Sequence, residues 1–273
     1  MGAQDRAHKA ATENKPIPPT NTNYSYYIYT MDAQDCKLSV NINKIALLRN
    51  ARGGNNPNLV KTARDLELYG AQGITMHPRP DERHARYADA ADLKAVLKVE
   101  LNIEGYPDER WLNMVLACQP AQATLVPDAP DAITSSAGWD TTSAQQQAIL
   151  APAIARLKAA GIRVSLFVDP APAMVAGAAA LGADRVELYT EAYAIHYSAD
   201  RAAAVAPYMA AAQAAATHNL GLNAGHDLDL QNLAYLKTQL PNLIEVSIGH
   251  ALIADALYYG LENVVRMYRD RLY

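Results

Sequence analysis

From Lys37 onward the chain alternates eight times between short segments rich in aliphatic and β-branched residues and longer segments with helical spacing. The short segments are Leu38–Asn43, Gly73–His77, Lys98–Ile103, Ala123–Val126, Arg163–Val168, Arg185–Tyr189, Gly221–Ala224 and Ile244–Ile248. Strands that alternate with helices are joined by crossovers and therefore pair in parallel. They read as nearly continuous apolar runs, as expected when helices cover both faces of a parallel sheet. Eight such units in about 235 residues predict a closed (β/α)8 TIM barrel, a single α/β catalytic domain over 37–273. A doubly wound open sheet is the competing arrangement, but no Gly-x-Gly-x-x-Gly follows any strand.

Several helix boundaries are marked. Asn56-Pro57 reads as an N-cap followed by a first-turn proline, and Pro107-Asp108 opens another helix. Thr142–Ala160 and Ala199–His218 are Ala-rich at helical spacing, with too few large apolar groups to span a membrane. A last helix is expected over Ala251–Asp270, where Leu257, Tyr258, Tyr259 and Val264-Val265 serve either a subunit interface or packing on the barrel. Residues 1–36 differ from the rest. They are polar, carry Pro16, Pro18 and Pro19, and show no sustained periodicity. No charged start followed by an apolar run marks a secretory leader. They are read as a disordered extension or a start assigned upstream of Met31, with a targeting or partner-binding arm as the functional alternative.

Apolar residues make up 50% of the chain and charged residues 19%, which excludes a disordered protein. Lys plus Arg number 24 against 28 Asp plus Glu, a net charge of -4, so a broad nucleic-acid surface is not expected. Two cysteines, Cys36 and Cys118, make neither a disulfide framework nor a metal-ligand spacing, and they fit a reducing, cytoplasmic setting.

In a TIM barrel the chemistry sits at the C-terminal ends of the strands. The first strand ends in Asn41-Ile42-Asn43-Lys44, followed by Arg49 and Arg52. The second ends at His77, then Pro78-Arg79, with His84 close behind. The third runs into Glu104, and Asp128 and Thr134 follow the fourth. Asp169 ends the fifth, Glu187 lies within the sixth with Glu191 just past it, and the last two end in Gly225-His226 and Gly249-His250. Taken singly, each histidine reads as a loop residue capping a helix; four of seven converging on one rim point instead to proton transfer. Glu104 at the top of a dry barrel suits an acid/base role, against the plain alternative of an ion pair with Arg79 or Lys44. Arg49 and Arg52 both suit a phosphate, although one of two neighbouring arginines is commonly an ordinary ion pair. No His-x-His or His-Glu-x-x-His spacing supports a metal site, and the arginines favour anions. Gly225 and Gly249 would let backbone N–H groups face a phosphate at a helix start.

Six ordered stretches carry a closer likeness: Val40–Gly53, Gly73–Arg79 with Arg83-His84, Leu101–Glu104, Val164–Asp169, Asn223–His226 and Ser247–Ala251. Together they resemble the pyridoxine 5'-phosphate synthase family from about Leu38 to the C-terminus. The resemblance implies a homo-octameric barrel using neither metal nor cofactor. It would join 1-deoxy-D-xylulose 5-phosphate to 3-amino-2-oxopropyl phosphate, releasing phosphate and water. It further implies that His77 and Glu104 accept protons, His226 donates one and Glu187 stabilises the transition state. Asn41, Arg52, Gly249 and His250 match contacts to the aminoketone phosphate, and Arg79, His84 and Thr134 match contacts to the sugar phosphate. Four positions depart. Many members have Asp-His where this chain has Asn43-Lys44, a pair that contacts the sugar phosphate; a Gly is replaced by Asp227, and a His by Tyr189. Asp227 would repel a nearby phosphate unless it points away or pairs with Lys44. Closure of residues 129–138 over the site would protect intermediates. The competing functions are a sugar-phosphate aldolase or isomerase, for which a Schiff-base lysine late in a strand is missing, and a non-catalytic ligand-binding barrel.

Overall fold

The computed structural model describes residues 35–127 and 137–273. The expectations for the first 34 residues, for Asp128 and Thr134, and for most of the 129–138 segment lie outside the described residues.

Eight parallel strands close into a barrel in sequence order. They are β1 Lys37–Asn41, β2 Gly73–Met76, β3 Glu100–Gly105, β4 Gln122–Leu125, β5 Arg163–Val168, β6 Arg185–Tyr189, β7 Gly221–Gly225 and β8 Leu243–Ile248. The closure is direct, because β1 pairs with β8 at Lys37↔Glu245 through Val40↔Ile248. The helices are α1 Asn43–Asn50, α2 Leu59–Tyr69, α3 Tyr87–Val96, α4 Glu109–Cys118, α5 Ala144–Ala159, α6 Pro172–Ala180, α7 Glu191–Thr217, α8 Leu233–Gln239, α9 His250–Tyr259 and α10 Leu261–Arg269. The expected (β/α)8 barrel is therefore present, with an added helix after β1 and another after β8.

The strands are not the uniform apolar runs expected. They alternate, and the two faces do different work. Leu38 and Val40, Ile74 and Met76, Leu101 and Ile103, Leu166 and Val168, Val186 and Leu188, and Val246 and Ile248 join one buried cluster with helix residues such as Leu66, Leu93, Trp111, Leu157 and Leu236. Each such side chain contributes about 1.5–3 kcal/mol on full burial, so this outer layer holds the barrel together. The intervening residues are polar and meet inside. Lys37 of β1 donates to Glu100 of β3 at 2.7 Å, and Gln122 of β4 donates to Glu245 of β8 at 3.4 Å. Strands so far apart in the barrel can touch only across its interior. Higher up, Ser39 and Thr75 hydroxyls lie 2.7 Å apart, Asn102 donates to Thr75 at 3.3 Å, and Thr124 donates to Asn102 at 2.9 Å. Buried polar groups persist when they are paired in this way.

Several boundaries differ from the sequence reading. α2 is capped by Asn58, whose side chain accepts from Lys61 N at 2.8 Å, two residues beyond the expected Asn56 cap. Asn43 opens α1 and does not end β1. α7 begins at Glu191 and breaks at Asp200, whose carboxylate accepts from Ala202 N and Ala203 N at 3.0 Å and restarts the helix. The single terminal helix is two, parted at Gly260, whose φ of 79° a side chain would resist. Pro107-Asp108 behaves as expected, with Asp108 capping α4 through Trp111 N at 2.7 Å.

Candidate active site

The inward alternation delivers Asn41, His77 and Glu104 to the C-terminal mouth from three adjacent strands. Glu104 lies inside β3, not beyond it, since the strand is shifted by two residues and ends at Gly105. Its backbone is fixed from behind: Trp111 Nε1 donates to Glu104 O at 3.0 Å, and the indole occupies the space beside Gly105, where a Cβ would lie 2.1 Å from that nitrogen. Asn41 Nδ2 reaches Glu104 Oε2 at 3.4 Å, and Asn41 Oδ1 accepts from Asn43 N at 3.0 Å. Asn43 Oδ1 in turn accepts from His77 N at 2.9 Å. The departure at position 43 thus keeps an acceptor that positions the His77 backbone.

His77 is buried, and its Nδ1 stands 3.8 Å from Glu104 Oε2, beyond hydrogen-bond length. Burial, followed by the charges of His84, Arg79 and His226, lowers its pKa to about 3. The ring is therefore neutral at physiological pH and retains a lone pair that can accept a proton. His84 meets it edge-on with centroids 6.1 Å apart. Burial and the neighbouring Arg79 and Arg83 lower His84 to about 4. Its Nδ1 accepts from Ala85 N at 3.0 Å, so Nε2 carries the hydrogen.

Glu187 sits deeper, 3% exposed, and its Oε2 has no hydrogen-bond partner among the described residues. Burial, reinforced by the charges of Glu104 and Glu245, raises its pKa well above the ordinary carboxylate value. A neutral carboxylic acid can donate a hydrogen bond, which an ionised one cannot. Gly225 makes room for it: a Cβ there would lie 2.2 Å from Glu187 Oε1.

Across the mouth, His226 and Asp227 follow β7 with φ of 85° and 55°. Thr190 Oγ1 donates to Gly225 O at 2.7 Å and also to His226 O, pinning this turn. Asp227 Oδ2 lies 3.0 Å from His226 Nδ1. The carboxylate therefore turns to the neighbouring imidazole, where the sequence left open a pairing with Lys44. The His226 ring packs against Tyr189 at 5.1 Å and Phe167 at 6.2 Å. Phe167 is a wall residue that the rim-by-rim reading passes over, and its neighbour at 5.1 Å is Tyr189, which the sequence marks only as a departure from the family's His. Their spacing of two from Ser165 and Glu187 is the signal that places them on the inner face.

The two arginines separate. Arg49 is 4% exposed and donates to both oxygens of Asp89 at 2.7 and 2.9 Å, so it is a structural ion pair and no phosphate clamp. Arg52 is exposed on the turn after α1 and, among the described residues, makes none of the contacts that tie the other residues together. Arg79 is buried and acts electrostatically on His77 and His84; Lys44 is exposed and acts on His84. Gly249 packs against Asn41, whose Cβ would be 3.1 Å from an added methyl, and immediately precedes α9. His250, the first residue of α9, is exposed and acts on Asp227. Among the described residues, no group of three or more His, Cys, Asp or Glu is arranged to hold a metal ion.

The family described as pyridoxal phosphate biosynthesis protein PdxJ matches residues 38–273. A pyridoxine 5'-phosphate synthase from Cytophaga hutchinsonii is 61% identical over 236 residues, covering 86% of this chain and 98% of that protein. A second, from Flavobacterium johnsoniae, is 57% identical over 236 residues, covering 86% and 99%. Among solved structures, a thiamine phosphate pyrophosphorylase from Pyrococcus furiosus matches with a TM-score of 0.57, covering 88% of this chain and 96% of that one. At 12% identity this likeness shows the fold alone.

Proposed function

The chain belongs to the PdxJ family of pyridoxine 5'-phosphate synthases, and from that premise we propose how its barrel closes the pyridine ring of vitamin B6. It condenses 1-deoxy-D-xylulose 5-phosphate with 3-amino-2-oxopropyl phosphate to pyridoxine 5'-phosphate, inorganic phosphate and water. The amine forms an imine with a carbonyl, phosphate leaves, water adds, and a carbon–carbon bond closes the ring before the last dehydration. The steps share a need for protons moved to and fro in a shielded site. The observation that carries the reading is the pairing of a neutral His77 with Glu104 at one side of the mouth and His226 at the other.

In this reading Glu104 alternates between base and acid, His77 accepts, His226 donates, and the protonated Glu187 supports developing negative charge. Arg79, His84 and Thr134, with Asn43 and Lys44, bind the sugar phosphate. Asn41, Arg52, Gly249 and His250 bind the aminoketone phosphate, helped by the N-terminal end of α9. In this reading the catalytic domain spans residues 37–273. Self-association is supported by Leu257 and Tyr258 on α9, 78% and 84% exposed, with Leu47 and Leu48 exposed on α1. The family resemblance gives the octamer as its form. A cytoplasmic setting is supported by two free cysteines and by the lack, among the described residues, of any helix long and apolar enough to cross a membrane. Incubating the protein with both substrates and following phosphate release and pyridoxine-phosphate absorbance tests the reading. Release without the aminoketone, or none with both present, would refute it.

A further inference from the structure

We propose that Asp227 is the positioning residue of His226: its carboxylate holds Nδ1, leaving Nε2 as the nitrogen that passes a proton to the bound intermediate. This rests on reading His226 as the proton donor of ring closure.

Side chains of adjacent residues in extended backbone point to opposite sides, so a His-Asp pair does not ordinarily meet. Here both residues adopt left-handed backbone, with φ of 85° and 55°, and Oδ2 comes within 3.0 Å of Nδ1. That conformation costs a residue with a side chain, and two in succession persist because surrounding contacts fix them. Thr190 holds the carbonyls of Gly225 and His226, and Asn232 Nδ2 donates to Asp227 O at 3.2 Å. Tyr189 and Phe167 fix the ring from the barrel side, and the Tyr189 hydroxyl donates to Glu191 Oε2 at 2.6 Å.

The charged and titratable groups that face the pair come from every neighbouring element. Glu104 stands on β3, His77 after β2, Tyr189 on β6 with Glu191 at the start of α7, and His250 at the start of α9. Burial disfavours the charged imidazole, but the hydrogen bond and charge of Asp227, then Glu104 and Glu191, more than offset it and raise the His226 pKa. The His226 hydrogen bond leads the causes that lower Asp227. Both shifts describe an imidazolium–carboxylate pair. After Nε2 gives up its proton, Nδ1–H stays bonded to Asp227, so one tautomer is regenerated at each turnover.

Asp227→Asn and Asp227→Gly both tolerate the left-handed backbone and remove the charge. The test is the titration midpoint of the His226 imidazole by nitrogen NMR in the full chain, together with the pH profile of kcat. In both variants the midpoint moves down and the alkaline limb of kcat moves with it. Turnover is then lost more at about pH 8 than at about pH 6, while KM for either substrate stays within roughly twofold. A fixed midpoint overturns the proposal, as does an unmoved alkaline limb with a severalfold rise in KM, which would make Asp227 a substrate contact. The midpoint needs no substrate. A chain that makes no pyridoxine 5'-phosphate would therefore refute the functional reading and leave the pair judged on its own measurement.

Discussion

Arg49 and Arg52 lie three residues apart; the structure pairs Arg49 with Asp89 and leaves Arg52 exposed, and Arg49→Met and Arg52→Ala test whether the proposed roles divide in the same way. Arg49 spans α1 and α3. It donates to Asp89 through both terminal nitrogens, to His84 O at 3.3 Å and, through Nε, to Asn50 Oδ1 at 3.1 Å. The side chains of Arg49 and Asp89 are 5% and 11% exposed, so solvent screens the pair little. Removing the guanidinium leaves the carboxylate enclosed without its counter-charge, a loss of about 3–5 kcal/mol. For a domain of this size, that lowers the melting temperature by roughly 6–20 °C. Urea unfolding at fixed protein concentration measures it as a lower midpoint at unchanged slope. Adding Asp89→Asn to Arg49→Met returns part of the loss, because the amide oxygen still accepts from Arg86 N, now 2.7 Å from Asp89 Oδ2, without a buried charge. Arg52→Ala, at an exposed site, changes stability by no more than about 0.5 kcal/mol. It weakens aminoketone phosphate instead and raises its KM. An Arg49→Met loss under about 1 kcal/mol, or equal losses for the two variants, would refute the division.

Three further outcomes follow from the site. Glu104→Gln keeps an oxygen for Asn41 but cannot exchange protons, so turnover falls by about 10²–10⁴-fold with phosphate-ligand binding largely intact; near-normal turnover would remove Glu104 as the base. Glu187→Gln removes a carboxyl that the folded chain holds protonated. As pH rises above 4.5 the unfolded chain ionises Glu187 while the folded chain does not, so the wild type loses stability relative to the variant up to the raised folded pKa. Denaturation midpoints should coincide in acid and part in favour of the variant toward neutrality; a variant less stable at neutral pH would contradict the protonation state. Gly225→Ala sets a methyl 2.2 Å from Glu187 Oε1 inside a closed barrel, costing about 1–3 kcal/mol. Turnover should fall with it as the carboxyl is displaced, and an unaffected enzyme would show that Glu187 has room to move.

The eightfold alternation and the rim positions are legible in the sequence because a TIM barrel converts chain order directly into angular order around one mouth. Asn41, His77 and Glu104 come together for that reason alone. The division between Arg49 and Arg52 is not legible, since it is decided by Asp89, forty residues on and brought against α1 only by packing. Nor is the His226–Asp227 pair: a glycine announces left-handed backbone, whereas His-Asp does not. The strand ends slip where Lys98 is counted into β3, which starts at Glu100.

The inward alternation is written in the sequence but masked by chemistry. Ser39, Thr75, Thr124 and Ser165 pass as ordinary members of β runs, so the strands look uniformly buried while one face is polar. That distinction bears on function. In an aliphatic interior Glu187 would be an isolated charge, expelled or neutralised at large cost. In this one, Glu245 below it is matched by Arg185 at 3.3 Å and Asn223 at 3.1 Å, while among the described residues no cation pairs with Glu187 and no donor reaches its Oε2. The barrel thus supplies counter-charge to the lower carboxyl and withholds it from the upper one. A polar interior lets both be buried; burial raises both pKa values, and the carboxyl with no cation beside it among the described residues is the one raised well above the ordinary range.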